Sequence, residues 1–216
     1  PADAVLILGD LVELWVGDDS RHEGFERAMH DMLAEASRHR YIGFMAGNRD
    51  FLLGDAMLES CGVHALADPL VLHAFGRSIL LTHGDALCLD DEAYQRFRAQ
   101  VRDPRWQAQF LARPLEDRRR IGREIRDASE QRRSGSEVQP SAAYGDIDPA
   151  AALAWLGAAG APTLIHGHTH RPGTASLDSA HERWVLSDWD FESSTAAPRG
   201  DVIRLSAAGV QRTAPL

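Results

Sequence analysis

The 216-residue sequence predicts an α/β fold whose strands end in ligand-bearing loops. Three observations predict it. Four short, continuously apolar runs each finish on a polar group: "AVLILGD", "YIGFMAGNRD", "SILLTHGD" and "APTLIHGHTH". Runs of this length, bounded by turn residues, read as strands buried on both faces. Helical periodicity separates the first two, with Phe25, Met29, Met32, Leu33 and Ala36 on one face of a helix over 23–38. From Asp91 to Ser136 the alternation gives way to amphipathic, Arg-rich sequence, which predicts two or three inserted helices.

In chain order, Ala4–Asp10 is the first strand and turn. The helix over 23–38 leads to the second strand, and a short helix follows near Ala56–Cys61. "LVLHAF" and "SILLTHGD", joined at Gly76-Arg77, predict a hairpin. In the insert, Tyr94, Phe97 and Val101 are spaced at three and four, as are Ile121 and Ile125. "RRSGSEVQPSAAYGDIDP" reads as a loop before the fourth apolar strand, and "RWVLSD" and "DVIRLS" as two shorter strands.

Hydrophobic content of 44% and charged content of 25% are those of a globular chain. No run of 18 apolar residues marks a membrane span. Cys61 and Cys88 are expected to be buried, reduced thiols rather than a disulfide framework. The net charge is −9, yet Arg96–Arg133 carries twelve Arg against six acids, which leaves about −15 for the rest. All 23 basic residues are Arg, so any anion clamp must be guanidinium or backbone. Nothing in the sequence points to a nucleic-acid partner or an obligate protein partner.

The four strand ends bring chemistry together. In open α/β sheets, ligands bind beyond the carboxyl ends of strands, and those ends carry Asp10, Asn48, His83 and the cluster His166, His168 and His170. Alternate residues of an extended chain point the same way. Asp, Asn and His without Cys suit Mn²⁺, Zn²⁺, Fe²⁺ or Co²⁺ better than a structural zinc. A carboxylate can bridge two ions, and two metals roughly 3.5–4 Å apart stabilise both oxygens of a displacement at phosphorus. His22, His30, His39, His64, His73 and His181 read as surface or core residues. His166 is open between a buried structural role, support of the ligands and a substrate contact.

In this order, "GD…GNRD…THGD…GHTH" resembles the calcineurin-like metallophosphoesterase superfamily. "ILGDLVELWVGDD", "GNRDFLLG", "THGDALCLDDEAYQRFR" and "LIHGHTHRP" are similar to its UDP-2,3-diacylglucosamine pyrophosphohydrolase branch, of lipid A biosynthesis, from about residue 4 to residue 190. The resemblance implies one domain over 1–216, a four-layer α/β/β/α sandwich with a helical lid at 92–136. It implies a pair of Mn²⁺ ions and hydrolysis of UDP-2,3-diacylglucosamine to UMP and 2,3-diacylglucosamine 1-phosphate. Carried over residue by residue, Asp10 bridges the ions, Asn48, His83 and His168 complete one, and His170 binds the other. Asn48, Arg49, Asp91, Ser129 and His168 fall where the family contacts substrate, and Asp10, Asn48, Arg49 and His83 form the catalytic set.

The chain departs from the family in two places. An amide and a Lys of the lid have no match in "SEQRRSGSE", where Arg132 or Arg133 stands instead. The family's first strand, ending in Asp-x-His, does not precede Asp10, so the expectation is a chain lacking that strand, with an incomplete second metal site and weak or no activity. The lid is expected to cover acyl chains with Tyr94, Phe97, Val101, Phe110 and Leu111. Its Arg face is expected to meet phosphates or an anionic inner leaflet, which implies peripheral attachment to the cytoplasmic face of a bacterial inner membrane. Two other readings compete: a metallophosphoesterase of nucleotide pyrophosphates or phosphodiesters, and a degenerate, non-catalytic scaffold of the same fold. Retention of Asn48, His83, His168 and His170 argues against the scaffold.

Overall fold

Parallel strands need a crossover, and the helical sequence between the first two apolar runs supplies one. Strand β1 (Ala4–Leu8) pairs in parallel with β2 (Tyr41–Met45), with α1 (Gly24–Ser37) between them in the chain. Helix α2 (Asp55–Cys61) then leads to β3 (His64–Leu66), parallel to β2 on its other side. These coordinates come from a computed structural model that describes residues 2–134, 145–191 and 198–214, the side chains of 129–134 excepted. The fold is mixed α/β and divides into two units. One holds residues up to Ala67 together with the insert from Asp91, and the other holds Asp68–Asp90 and the described residues from Gly145 onward.

In the first unit, Leu8 lies opposite Met45, so β1 and β2 end level and release their polar loops side by side. The core beneath is Trp15, Met29, Leu33, Ile42, Phe44 and Met57. Only part of the predicted face of α1 enters it. Met29 and Leu33 are buried, while Phe25 and Met32 are 69% and 60% exposed. They flank the apolar stripe, and the helix is rotated so that its Leu33 side meets the sheet. Asp18 accepts from the backbone N–H groups of Gly54 (3.0 Å) and Met57 (2.9 Å), which satisfies donors at the start of α2.

The insert forms three helices: α3 (Glu92–Val101), α4 (Pro104–Leu111) and α5 (Leu115–Ser134). Asp91 and Asp103 cap the first two, and Pro104 occupies the first turn of α4. The structure corrects the expected apolar lid face. Val101 and Phe110 are buried, and Phe110 belongs to the same core as Trp15 and Met57. Tyr94 and Phe97 are half-buried, and Leu111 is exposed. Several Arg side chains of the insert are paired with nearby carboxylates. Arg119 pairs with Glu23 and Glu116, Arg120 with Asp117 and Glu124, and Arg126 with Glu13. Arg118 is buried. It pairs with Asp19 and donates to the carbonyls of Val16 (2.6 Å) and Arg113 (3.0 Å).

In the second unit, β4 (Leu70–Ala74) and β5 (Arg77–Thr82) form the predicted hairpin. Its turn lies at Phe75-Gly76, one residue before the expected Gly76-Arg77, because Ala74 pairs with Arg77, and both turn residues have positive φ, as a type I′ turn requires. Strand β6 (Thr163–His166) lies parallel to β5, and β8 (Glu182–Val185) parallel to β6. Strand β7 (Gly173–Ser176) closes the sheet antiparallel to β8, giving the order β4-β5-β6-β8-β7. Strands β9 (Val202–Ser206) and β10 (Gly209–Thr213) make a separate hairpin. Helix α6 (Pro149–Ala159), capped by Asp148, carries no amphipathic stripe, and its Ala-rich sequence gives no period to read. Cys61 and Cys88 are both buried, as expected. No helix among the described residues is long and apolar enough to cross a membrane.

Because Arg118 joins α5 to the loop after β1, its loss should be felt throughout the first unit. Arg118→Met is expected to lower unfolding stability by about 2–3 kcal/mol, the scale for hydrogen bonds to a charged group. Arg118→Lys, which keeps the charge but not the fork, should recover less than half of it. Donation from Arg118 holds the Asp19 carboxyl below the usual carboxylate range, against a smaller opposing effect of burial. This stabilisation is therefore complete above about pH 4 and drains as the pH falls further. Urea midpoints at pH 7 and pH 3 should show the gap between wild type and variant narrowing in acid.

Candidate active site

The first unit carries oxygen donors. Gly9 (φ 85°) and Asp10 (φ 54°) take the chain through a left-handed turn as it leaves β1, a conformation Asp tolerates better than most residues. Asp10 Oδ1 accepts the backbone N–H of Arg49 at 2.9 Å. Fully buried Asp50 ties the same loops the other way, with Oδ2 accepting Leu11 N–H and Oδ1 accepting Gly47 N–H, both at 2.7 Å. The approach is close enough to require glycine at 47, where a Cβ would lie 2.3 Å from both the backbone N and Oδ1 of Asp10. Arg102, at the end of α3, donates to the carbonyls of Ala46 (3.2 Å) and Gly47 (2.9 Å) and lies 5.5 Å from the centre of the Phe51 ring. Asn48 and Arg49 are held between these contacts. The Arg49 guanidinium pairs with Glu13, with its Nε 3.7 Å from Asp10 Oδ2.

The second unit supplies imidazoles. Asp68 accepts from the Thr82 hydroxyl and from the backbone N–H of His83 (3.3 Å), which fixes the end of β5. His83 is fully buried, and its carbonyl accepts Gly167 N–H at 3.0 Å. The β5 and β6 loops are thereby joined. The rings of His83 and His168 meet edge to face with centroids 5.1 Å apart. His168 (φ 63°) and His170 (φ 52°) both adopt left-handed backbone conformations. Gly84 (φ 108°) leaves room for His166, whose Nδ1 would lie 3.1 Å from a Cβ there. His166 Nδ1 is 3.0 Å from Gly167 O, so this nitrogen carries the proton. Burial pushes the His166 pKa down to about 4. Burial, then the neighbouring His83, pushes His168 down to about 3. His170 Nδ1 lies 3.4 Å from Asp188 Oδ2.

The donors of each unit suit a divalent cation of borderline softness. Asp10 offers a carboxylate, Asn48 a neutral amide, and His168 an imidazole that stays uncharged through the physiological range, the form a metal requires. The structure thus gathers Asp10, Asn48 and Arg49 on neighbouring loops of one unit, and His83, His168 and His170 on neighbouring loops of the other. Asp91 caps α3, accepting Tyr94 N–H at 2.9 Å. Ser129 belongs to α5, and its side chain lies outside the described residues, as do those of Arg132 and Arg133. The other six histidines lie at or near the surface, His64 stacked on Tyr41 and His39 beside Glu35. Sequence reasoning missed Asp50, Asp68 and Asp188. Asp50 was in view within "GNRD", and Asp188 ends "WVLSD" as the candidate ligands end their strands.

No family model matches the chain. Curated relatives do. A UDP-2,3-diacylglucosamine hydrolase from Ralstonia nicotianae is 47% identical over 211 residues, covering 94% of this chain and 77% of its own. Relatives with the same description from Chromobacterium violaceum (43% identical, 99% of this chain, 85% of the relative) and Stenotrophomonas maltophilia (41%, 96% and 84%) match equally broadly. The zinc-complexed Vps29 of Entamoeba histolytica overlaps 93% of this chain and 82% of its own. At 13% identity and a TM-score of 0.33, that overlap is too slight to bear on the fold.

Gly47→Ala tests the oxygen donors of the first unit. The added methyl must push Asp10 away, so the Arg49 N–H should lose its acceptor and its proton resonance should move upfield. Mn²⁺ affinity should drop about 10- to 100-fold, the range for groups that orient ligands, with the far-ultraviolet dichroism retained. An unmoved Arg49 amide resonance would contradict the assigned contact.

Proposed function

This chain belongs to the UDP-2,3-diacylglucosamine hydrolase family, and on that premise we propose that it cleaves the pyrophosphate of UDP-2,3-diacylglucosamine in lipid A biosynthesis, releasing UMP and 2,3-diacylglucosamine 1-phosphate. With this reading goes the family's architecture, a single four-layer α/β/β/α domain with residues 92–136 as its lid. On this reading Asp10, Asn48, His83 and His168 would hold one divalent cation, and Asp10 and His170 would hold a second; we take both as Mn²⁺. Bound there, the ions would supply Lewis-acid stabilisation of charge on the phosphoryl oxygens.

The observation that carries the reading is the placement of Arg49 beside Asp10. Many superfamily relatives have "GNH" at this point, and a His there can protonate an alkoxide leaving group. Arg remains charged at any working pH and cannot act as that acid. Pyrophosphate cleavage does not need one, because the departing group is a phosphate with a second pKa of about 6. Arg49 therefore holds the anionic substrate and offsets charge on it, and Asn48, Asp91, Ser129 and His168 fall where the family contacts substrate. A non-catalytic scaffold would have no use for a half-buried, neutral His168 packed on His83. Attachment to the inner leaflet belongs to the same proposal. With much of the insert's Arg face already paired, it should be weak and salt-sensitive.

Hydrolysis in ¹⁸O-labelled water should place the label on UMP, and label on the sugar phosphate would sink the assignment of the attacked phosphorus. Chelation should abolish UMP release and Mn²⁺ should restore it. Arg49→Ala and Arg49→Lys should each lose about 10²–10³-fold in turnover, the range for removing a charge-stabilising donor. Arg49→His should gain no useful phosphodiesterase activity. If simple phosphodiesters turned over as fast as the UDP-linked substrate, the argument from Arg49 would fail.

A further inference from the structure

We propose that Asp188 is a positioning residue that keeps the proton of His170 on Nδ1, leaving Nε2 as the lone-pair nitrogen for a cation; the inference rests on the reading of His170 as a metal ligand. A neutral imidazole has two tautomers, and only the unprotonated nitrogen can coordinate. A carboxylate facing the other nitrogen selects between them and makes the ligating one more basic. Asp188 faces His170 in this way, with Oδ2 3.4 Å from Nδ1 and a side chain that is 17% exposed.

The segment bearing Asp188 is braced for such a role. It leaves β8, where Leu186 N–H donates to His166 O at 2.8 Å and so runs alongside the chain that leads to His170. Arg212 of β10 donates to Val185 O at 2.6 Å and also pairs with Asp201. The Ser187 hydroxyl donates to Asp188 O at 2.6 Å. Beyond Asp188, Asp190 and Arg199 exchange two backbone hydrogen bonds of 2.9 Å, and the Arg199 guanidinium pairs with Asp188 itself. His170 also needs support, because its left-handed backbone (φ 52°) is held only by what surrounds it. An ordinary surface pair between Asp188 and Arg199 would stabilise the segment and leave the imidazole indifferent.

The two roles separate in the metal-free protein. Long-range ¹⁵N–¹H spectra, with His170 assigned by its absence in His170→Gln, should show the Nδ1–H tautomer in wild type. Asp188→Ala should turn His170 over to mainly Nε2–H and weaken Mn²⁺ binding by calorimetry about 10- to 100-fold. Asp188→Asn, whose amide oxygen still accepts, should keep the Nδ1–H form. Arg199→Ala should lower the melting temperature without changing the tautomer. Wild-type His170 protonated on Nε2, or a tautomer unmoved in Asp188→Ala, overturns the proposal, and the first result decides even if that variant fails to fold. A tautomer that switches while Mn²⁺ affinity stays constant supports the hold of Asp188 on His170 and refutes His170 as a ligand.

Discussion

The first unit depends on a reciprocal clamp between two strand-end loops. Asp50, carried by the second loop, collects one N–H from the first (Leu11) and one from its own (Gly47). Asp10, carried by the first, collects the N–H of Arg49 from the second. Burying an ionised carboxylate costs several kcal/mol unless it is hydrogen-bonded. Asp50 is therefore stable only while both loops are in register, and the register of β1 on β2 brings them there. The cost of the buried charge thus becomes a constraint on geometry. It explains why position 47 has no side chain, why Arg49 lies over Asp10, and why Arg102 of the insert must satisfy the two carbonyls left beside the clamp.

The second unit reaches the same end with different groups. Asp68 ties down Thr82 and His83, the His83 carbonyl takes Gly167 N–H, and Gly84 makes space for the ring of His166. Burial then keeps His166 and His168 uncharged. Three imidazoles within five residues would repel if protonated. The His166 ring turns its Nδ1 to the Gly167 carbonyl, and the His170 ring turns its Nδ1 to the Asp188 carboxylate.

Much of this was legible in the sequence, for physical reasons that also set the limits. Continuous apolar runs ending in Gly and a polar residue located four strands and the polar loops that follow them, because buried strands and turn chemistry both leave strong local signals. The rotation of α1 was not legible. Phe25 and Met32 lie on the edge of the same stripe as Met29 and Leu33, and only the sheet decides which edge it covers. Nor was the pairing of the insert. A count of twelve Arg against six acids cannot show that Arg118 meets Asp19, 99 residues away, or that Arg126 meets Glu13. Helix α6 escaped because its apolar residues surround it. Asp50, Asp68 and Asp188 escaped because each acts on a backbone amide or another side chain rather than on the ligand position itself.

The clamp is the part of this account most open to direct test. Asp50→Asn keeps the shape of the side chain but removes the charge and replaces one acceptor with a donor facing an N–H. Mn²⁺ titrations by calorimetry on this variant and wild type, both shown to be folded by dichroism, isolate its effect on the ligand-bearing loops. The account predicts that Mn²⁺ affinity falls by about tenfold or more. Affinity unchanged within about twofold, in a folded Asp50→Asn protein, would contradict the claim that this carboxylate holds the site in place.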